Sequence, residues 1–360
     1  MWAPIGKQPR HLYMRDGTPD RWKIVIDFVR EHDVSDISLY GESLTARMDG
    51  QIVRLSESGA LSKTAVSEMI MELLRPNPAL VKAISKPMGS VDFTRELFEK
   101  RFRINVARSR GELFASLRPL PESAPEAGSI GLSSQFVKFV TEASGGLVLI
   151  TGPTGSGKTT TIASLVNEIN RSREAKIITI EDPIEFTFKS QKAEIIQREI
   201  GLDSRSYDQG LREALRQNPD VIVIGEIRDA ETSVVALQAA ETGHLVIGSL
   251  HAKSIVDAIT RYLLLGPQER SSEMRYVLAK TLRAITNQRL LRKRGGGRIA
   301  VREVCMHAPN VEAVIIRGNE HELASYMLAG REMGMIDFLT ALKSVQNLLE
   351  PADYLLFSKQ

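Results

Sequence analysis

Cysteine is almost missing from this chain: Cys305 stands alone among 360 residues. A single thiol excludes an internal disulfide framework and an all-cysteine zinc site within one chain, and it points to a reducing compartment. It reads as a buried, inert thiol rather than a reactive one. Long apolar runs are missing as well. No stretch reaches the ~18 consecutive apolar residues that a membrane-spanning helix needs, and the N-terminus, with Lys7, Arg10 and Arg15 but no apolar core, lacks the make-up of a secretory signal. The expectation is a soluble protein whose membrane association comes through partners. Neither sign of charge dominates: 47 Lys and Arg against 44 Asp and Glu leave a formal +3, too slight to make nucleic acid an obligatory partner. With 42% hydrophobic and 25% charged residues, disordered, collagen-like and mucin-like classes fall away. What is there is enough chain for two or three domains at ~100–200 residues each.

Residues 1–19, punctuated by Pro4, Pro9, Gly17 and Pro19, read as a flexible tail. An N-terminal α+β domain is expected over 20–118. In it Trp22, Val25, Ile26 and Val29 fall at helical spacing, and Ile37–Tyr40, Leu44–Met48 and Ile52–Leu55 alternate like strands around an Asp49-Gly50 turn. A helix is predicted from Lys63 to Leu74, ended by Pro76 and Pro78, and a strand pair over Arg101–Arg108 and Leu113–Arg118. Residues 119–131, proline-bearing and without periodicity, read as a semi-rigid linker. From Gly146 the texture becomes α/β. Leu147–Ile150, Ile177–Ile180, Val221–Ile224 and Leu245–Gly248 are short continuous apolar runs between helical segments, the pattern of a parallel sheet buried on both faces. The core domain is expected over 132–266. A helical C-terminal subdomain is expected over 267–360, broken by an exposed loop at Arg292-Lys-Arg-Gly-Gly-Gly-Arg.

The residues that carry chemistry begin at Gly152-Pro153-Thr154-Gly155-Ser156-Gly157-Lys158-Thr159-Thr160, which fits G-x-x-x-x-G-K-[ST] between a strand and a helix. Glycines let successive backbone N–H groups face a phosphate, Lys158 meets the β/γ-phosphates of a nucleoside triphosphate, and the Thr159 hydroxyl ligates Mg²⁺. In such a sheet the C-terminal strand ends converge on the ligand. The second apolar run ends in Glu181-Asp182-Pro183-Ile184-Glu185 and the third in Gly225-Glu226-Ile227-Arg228-Asp229. Glu226 is therefore the leading candidate to polarise an attacking water and to hold Mg²⁺ through water, with Glu185 second; Glu181 and Asp229 fit a solvated strand-end acid better.

His244 and His251 bracket the fourth run, placed to hydrogen-bond a phosphate or a carboxylate and report nucleotide state. Their spacing does not match the helical zinc motif. Arg101, Arg103, Arg108, Arg110 and Arg118 cluster just before the linker. They are either a solvated basic edge or fingers that act on the transferred phosphoryl group.

Four boxes in order resemble the type II/type IV secretion and pilus ATPases, most of all their pilus-retraction (PilT-like) branch. Residues 152–161 look like the family's Walker A, Ile177–Phe186 like its Asp box, Asp220–Asp229 like its Walker B, and Ala240–His251 like its His box. The resemblance implies a PAS-like N-terminal domain and a RecA-like P-loop ATPase domain. It implies Arg103 and Arg118 as fingers, Glu185 and Glu226 as catalytic carboxylates, and His244 and His251 as sensors. It implies ATP and Mg²⁺ as cofactors, a homo-hexamer, cytoplasmic location at the bacterial inner membrane, and a membrane platform protein as partner. The chain departs from the family in places. Its one cysteine excludes the tetracysteine module of the extension branch, Val311–Asn319 stands where the retraction branch has an Arg-Glu signature, and Ser38, Ser249 and Ala252 replace a histidine and two threonines. A type IV secretion or conjugation motor, a nucleic-acid translocase contacting its substrate through Arg289–Arg298, and a non-hydrolysing scaffold stay open as alternatives.

Overall fold

The computed structural model describes residues 21–358, apart from 33, 49–50, 56–60, 87 and 98. The expected tail over 1–19 and the Asp49-Gly50 turn lie outside the described residues. The chain divides into two units, after Glu122.

The first unit comprises α1 (Arg21–Glu31), β1 (Asp36–Tyr40), β2 (Ser43–Met48), β3 (Gln51–Arg54), α2 (Lys63–Leu74), α3 (Pro78–Ile84), β4 (Val91–Leu97), β5 (Lys100–Ser109) and β6 (Glu112–Pro119). Its strands form an antiparallel sheet in the order β3-β2-β1-β6-β5-β4. One sheet face is dry. Phe102, Ile104 and Val106 of β5 point inward with Ile37, Leu39 and Leu117, and meet the apolar stripes of α1 and α2. The period of two in β5 sends Arg101 and Arg103 to the opposite face. Ser62 caps α2 by accepting the Ala65 N–H, and Trp22 ties α1 to α2 by donating its indole N–H to Glu72 at 2.9 Å.

The second unit runs α4 (Ser134–Thr141), β7 (Gly146–Thr151), α5 (Lys158–Ser172), β8 (Lys176–Glu181), β9 (Glu194–Glu199), α6 (Tyr207–Ala214), β10 (Val221–Ile224), α7 (Ala230–Glu241), β11 (Leu245–Leu250), α8 (Ile255–Leu265), α9 (Ser271–Thr281), β12 (Leu282–Arg292), β13 (Arg298–Met306), α10 (Pro309–Arg317), α11 (Leu323–Ala329), α12 (Phe338–Ser344) and α13 (Pro351–Phe357). Among the described residues its sheet has the order β13-β12-β7-β11-β10-β8-β9. All neighbours run parallel except the edge pair β12–β13. The four apolar runs are β7, β8, β10 and β11, and every residue of β7, β10 and β11 is buried because helices cover both faces.

The helical reading of 267–360 needs a correction. The segment is helical in α9 and from α10 onward, but between them β12 joins the parallel sheet beside β7, with Thr286 opposite Ile150 and Asn287 opposite Thr151. β13 then folds back on it, and the Arg/Gly stretch is their exposed connection. Polar Thr286, Asn287 and Gln288 disguise the strand. They are fully buried because their partners lie on other elements.

Candidate functional site

Because β7, β11, β10 and β8 are parallel, their C-terminal ends share one edge of the sheet. β7 leads there into the 152–157 loop, which feeds α5. Gly152 has φ 147°, and a Cβ on it would stand 2.4 Å from the Gln288 carbonyl oxygen, so only glycine lets the loop leave the strand here. Gly157, at φ 87°, turns the chain into α5 in the left-handed region. Lys158 lies across the loop, its Nζ donating to the carbonyls of Gly152 and Pro153 at 3.0 Å each. Burial lowers the Lys158 pKa, against the opposing pull of the Glu226 carboxylate.

Glu226 follows β10 and is mostly buried, with 15% of its side chain exposed. Its Oε1 faces His251 Nε2 at 3.2 Å and its Oε2 pairs with Arg228. Burial, then the nearby Lys158 charge, lowers the His251 pKa, so near pH 7 the ring is neutral and meets Glu226 as an N–H donor. Lys158, Glu226 and His251 thus form one electrostatic cluster at the ends of β7, β10 and β11.

Not every expected residue reaches this edge. His244 precedes β11, at the other end of a six-residue strand, hence ~20 Å from His251 at ~3.3 Å per residue. Its Nδ1 lies 3.0 Å from the Ala239 carbonyl and 3.2 Å from the Thr242 hydroxyl. It closes the end of α7, at the opposite end of β11 from His251. Glu185 lies just beyond β8 on the same edge as Glu226, half-buried, with the preceding Ile184 N–H held by Glu199 at 3.2 Å. Asp229 caps α7 by accepting the Thr232 N–H, and Glu181 accepts from Thr179 and Gln197. Arg103 and Arg118, in the first unit, are cross-strand partners on the outer face of β5 and β6. Asp92 holds the Arg103 guanidinium at 2.8 Å, and Arg118 is exposed.

A family model described as "Type II/IV secretion system protein" matches residues 125–347. The chain belongs to that family. It is 39% identical over 235 residues to the type IV pilus retraction ATPase PilT of Pseudomonas aeruginosa, an alignment spanning 65% of this chain and 68% of that one. Among solved structures it is similar to the pilus retraction motor PilT with bound ADP, at TM-score 0.86 and 36% identity over 94% of this chain and 97% of the other. The Legionella pneumophila ATPase DotB follows at TM-score 0.78 and 26% identity over 95% and 97%. Within the family the likeness is to the PilT-like branch, and the chain is a P-loop ATPase.

The residues of this family member also fit a divalent cation shared with a nucleotide. Among the described residues no group of three or more His, Cys, Asp or Glu forms a self-sufficient metal cage. The oxygen donors at the loop include the exposed Thr159 hydroxyl and, after β10, the Glu226 carboxylate, the kind of hard, incomplete set that Mg²⁺ takes when phosphates supply the remainder. A cavity of about 790 Å³ opens beside Gly157 and Thr160, lined also by Ile130, Leu290, Arg298 and Met335. That is room for a base and sugar.

Sequence reasoning missed β12 altogether. Asn287 donates to the Thr151 hydroxyl at 2.9 Å and to the Ala252 carbonyl at 3.1 Å, while Gln288 donates to the Ser156 carbonyl at 2.7 Å. The one available signal was four polar residues, Thr286 to Arg289, inside the apolar frame Ala284-Ile285 and Leu290-Leu291.

Proposed function

We propose that this chain is a hexameric, ATP-driven motor of the pilus-retraction type, acting from the cytoplasm on a platform protein at the bacterial inner membrane. The observation that carries the reading is the Lys158–Glu226–His251 cluster at the mouth of the 152–159 loop, in a chain similar over nearly its whole length to a retraction motor. Backbone amides of the loop and Lys158 hold the phosphates, and the base and sugar take the cavity beside Thr160. Thr159, with Glu226 through water, holds Mg²⁺, which when bound neutralises phosphate charge.

Glu226 orients the attacking water and accepts its proton, with Glu185 as the second carboxylate. Neutral His251 holds the Glu226 carboxylate by one hydrogen bond, so loss of the terminal phosphate is felt along β11. Arg103 and Arg118 supply the positive charge that develops value only in the transition state. A second reading, a secretion motor of the same family, is favoured by the family description and by α10, whose Val311–Arg317 stretch departs from the retraction signature.

The test is the E226Q variant of the full chain with Mg·ATP. It is expected to bind ATP, to turn over ~10²–10⁴-fold more slowly than the parent, and to reach in solution about six times the 39.9 kDa of one chain. Near-parental turnover removes Glu226 from the role, and a monomeric mass with ATP bound removes the ring.

A further inference from the structure

Buried side-chain amides need partners for every polar atom, and Gln288, 0% exposed, has them. Its Nε2 donates to the Ser156 carbonyl at 2.7 Å, and its Oε1 accepts from the Thr161 hydroxyl at 2.9 Å and from Arg302 Nε at 3.2 Å. Arg302 is its cross-strand partner on β13. It is itself 8% exposed and is pinned in turn to the Ile130 carbonyl at 2.6 Å and the Thr161 hydroxyl at 3.3 Å. The amide therefore cannot turn over: two donors fix its oxygen, which leaves its nitrogen facing Ser156.

The consequence falls on the phosphate loop. The Ser156–Gly157 peptide is planar and trans, so its carbonyl and the Gly157 N–H point in opposite directions. A carbonyl drawn to Gln288 turns that N–H away from β12, into the concave side of the loop where successive amides meet a phosphate. The loop is gripped at its start by the same residue, since Gly152 packs against the Gln288 carbonyl oxygen.

We propose that Gln288, locked by Arg302, is a positioning residue for nucleotide binding: it sets the direction of the Ser156–Gly157 peptide and so readies a phosphate-binding amide before the nucleotide arrives. This rests on the reading of 152–159 as the nucleotide site. Neither residue touches the reacting atoms, so their effect belongs in affinity rather than in the chemical step.

Q288E separates this role from simple packing. The substitution keeps the oxygen that Thr161 and Arg302 hold, adds an ion pair with Arg302, and replaces only the donor facing Ser156 with an acceptor. A packing role predicts an equal or higher melting temperature with unchanged Mg·ADP affinity. The positioning role predicts a chain that still folds without nucleotide, Mg·ADP binding weakened about tenfold or more, a parallel rise in KM for ATP, and kcat at saturation within about threefold. Parental Mg·ADP affinity in folded Q288E overturns the proposal. Should Q288E fail to fold, T161V, which frees one hold on the amide oxygen, decides it: weakened binding that T161S restores supports the role, and unchanged binding overturns it. If the parent chain itself binds no Mg·ADP, it is the nucleotide-site reading that falls.

Discussion

Glu303 on β13 keeps a carboxyl 8% exposed, where its Oε1 accepts the Ile255 N–H at 2.8 Å and starts α8. Burial pushes its pKa up to about 7, with the Ile255 bond and Arg289 opposing and Asp337 adding. A carboxyl whose folded pKa is raised binds its proton more tightly folded than unfolded. Its contribution is therefore fully present below the unfolded value of 4.5 and lost as pH rises toward 7. E303Q keeps the acceptor and removes the titration. Its unfolding free energy relative to the parent is expected to grow from near zero at about pH 4.5 to as much as ~3 kcal/mol at about pH 8, read from urea midpoints across that range. A difference independent of pH would place the penalty elsewhere. At this scale the sequence was uneven. Lys158, Glu226 and His251 were legible because motif and strand end coincide; Glu303, Gln288 and Arg302 were not, since nothing in their immediate neighbours marks them as buried.

Elements were legible where their own pattern decided them. The stripe Trp22, Val25, Ile26 and Val29 is the buried face of α1, and β7, β8, β10 and β11 declare themselves as continuous apolar runs. β9, with the pattern Glu-Ile-Ile-Gln-Arg-Glu on an edge, and the hairpin β12–β13 depend on neighbours instead. Helix packing shows the same dependence. Tyr262 of α8 is fully buried and donates its hydroxyl to the Ser233 carbonyl of α7 at 2.8 Å, a bond between two helices that no local pattern announces. Y262F removes the hydroxyl and leaves the ring packed. A loss of ~1 kcal/mol in urea unfolding is expected, and a change under about 0.3 kcal/mol would show that the bond contributes nothing net. At the far end of β12, Arg292 clasps Asp353 and Arg289 lies over the Phe338 and Phe357 rings, so α12 and α13 are fastened to the same strand that braces the phosphate loop.

Among the described residues the apolar side chains form three cores without a shared residue: one from Trp22 to Leu117 in the first unit, and one from Ala127 to Met335 with a smaller one around Leu291, Val301 and Leu342 in the second unit. Lys158, Glu226, His251 and Gln288 all belong to the second unit, whereas Arg103 and Arg118 belong to the first. Residues 123–360 expressed alone are therefore expected to fold and bind Mg·ADP, yet to hydrolyse ATP at least ~10-fold more slowly than the full chain for want of the two arginines. Equal turnover in a steady-state assay would retire the finger roles.

The sequence by itself determined the phosphate loop, the acid after the third strand, the parallel core and the amphipathic helices, because each rests on spacing within a short window. Only the tertiary structure decided that β12 lies beside β7, and that a glutamine some 130 residues downstream grips the loop. Those facts depend on strand pairing and on buried polar groups finding partners far along the chain, and neither is written in any local pattern.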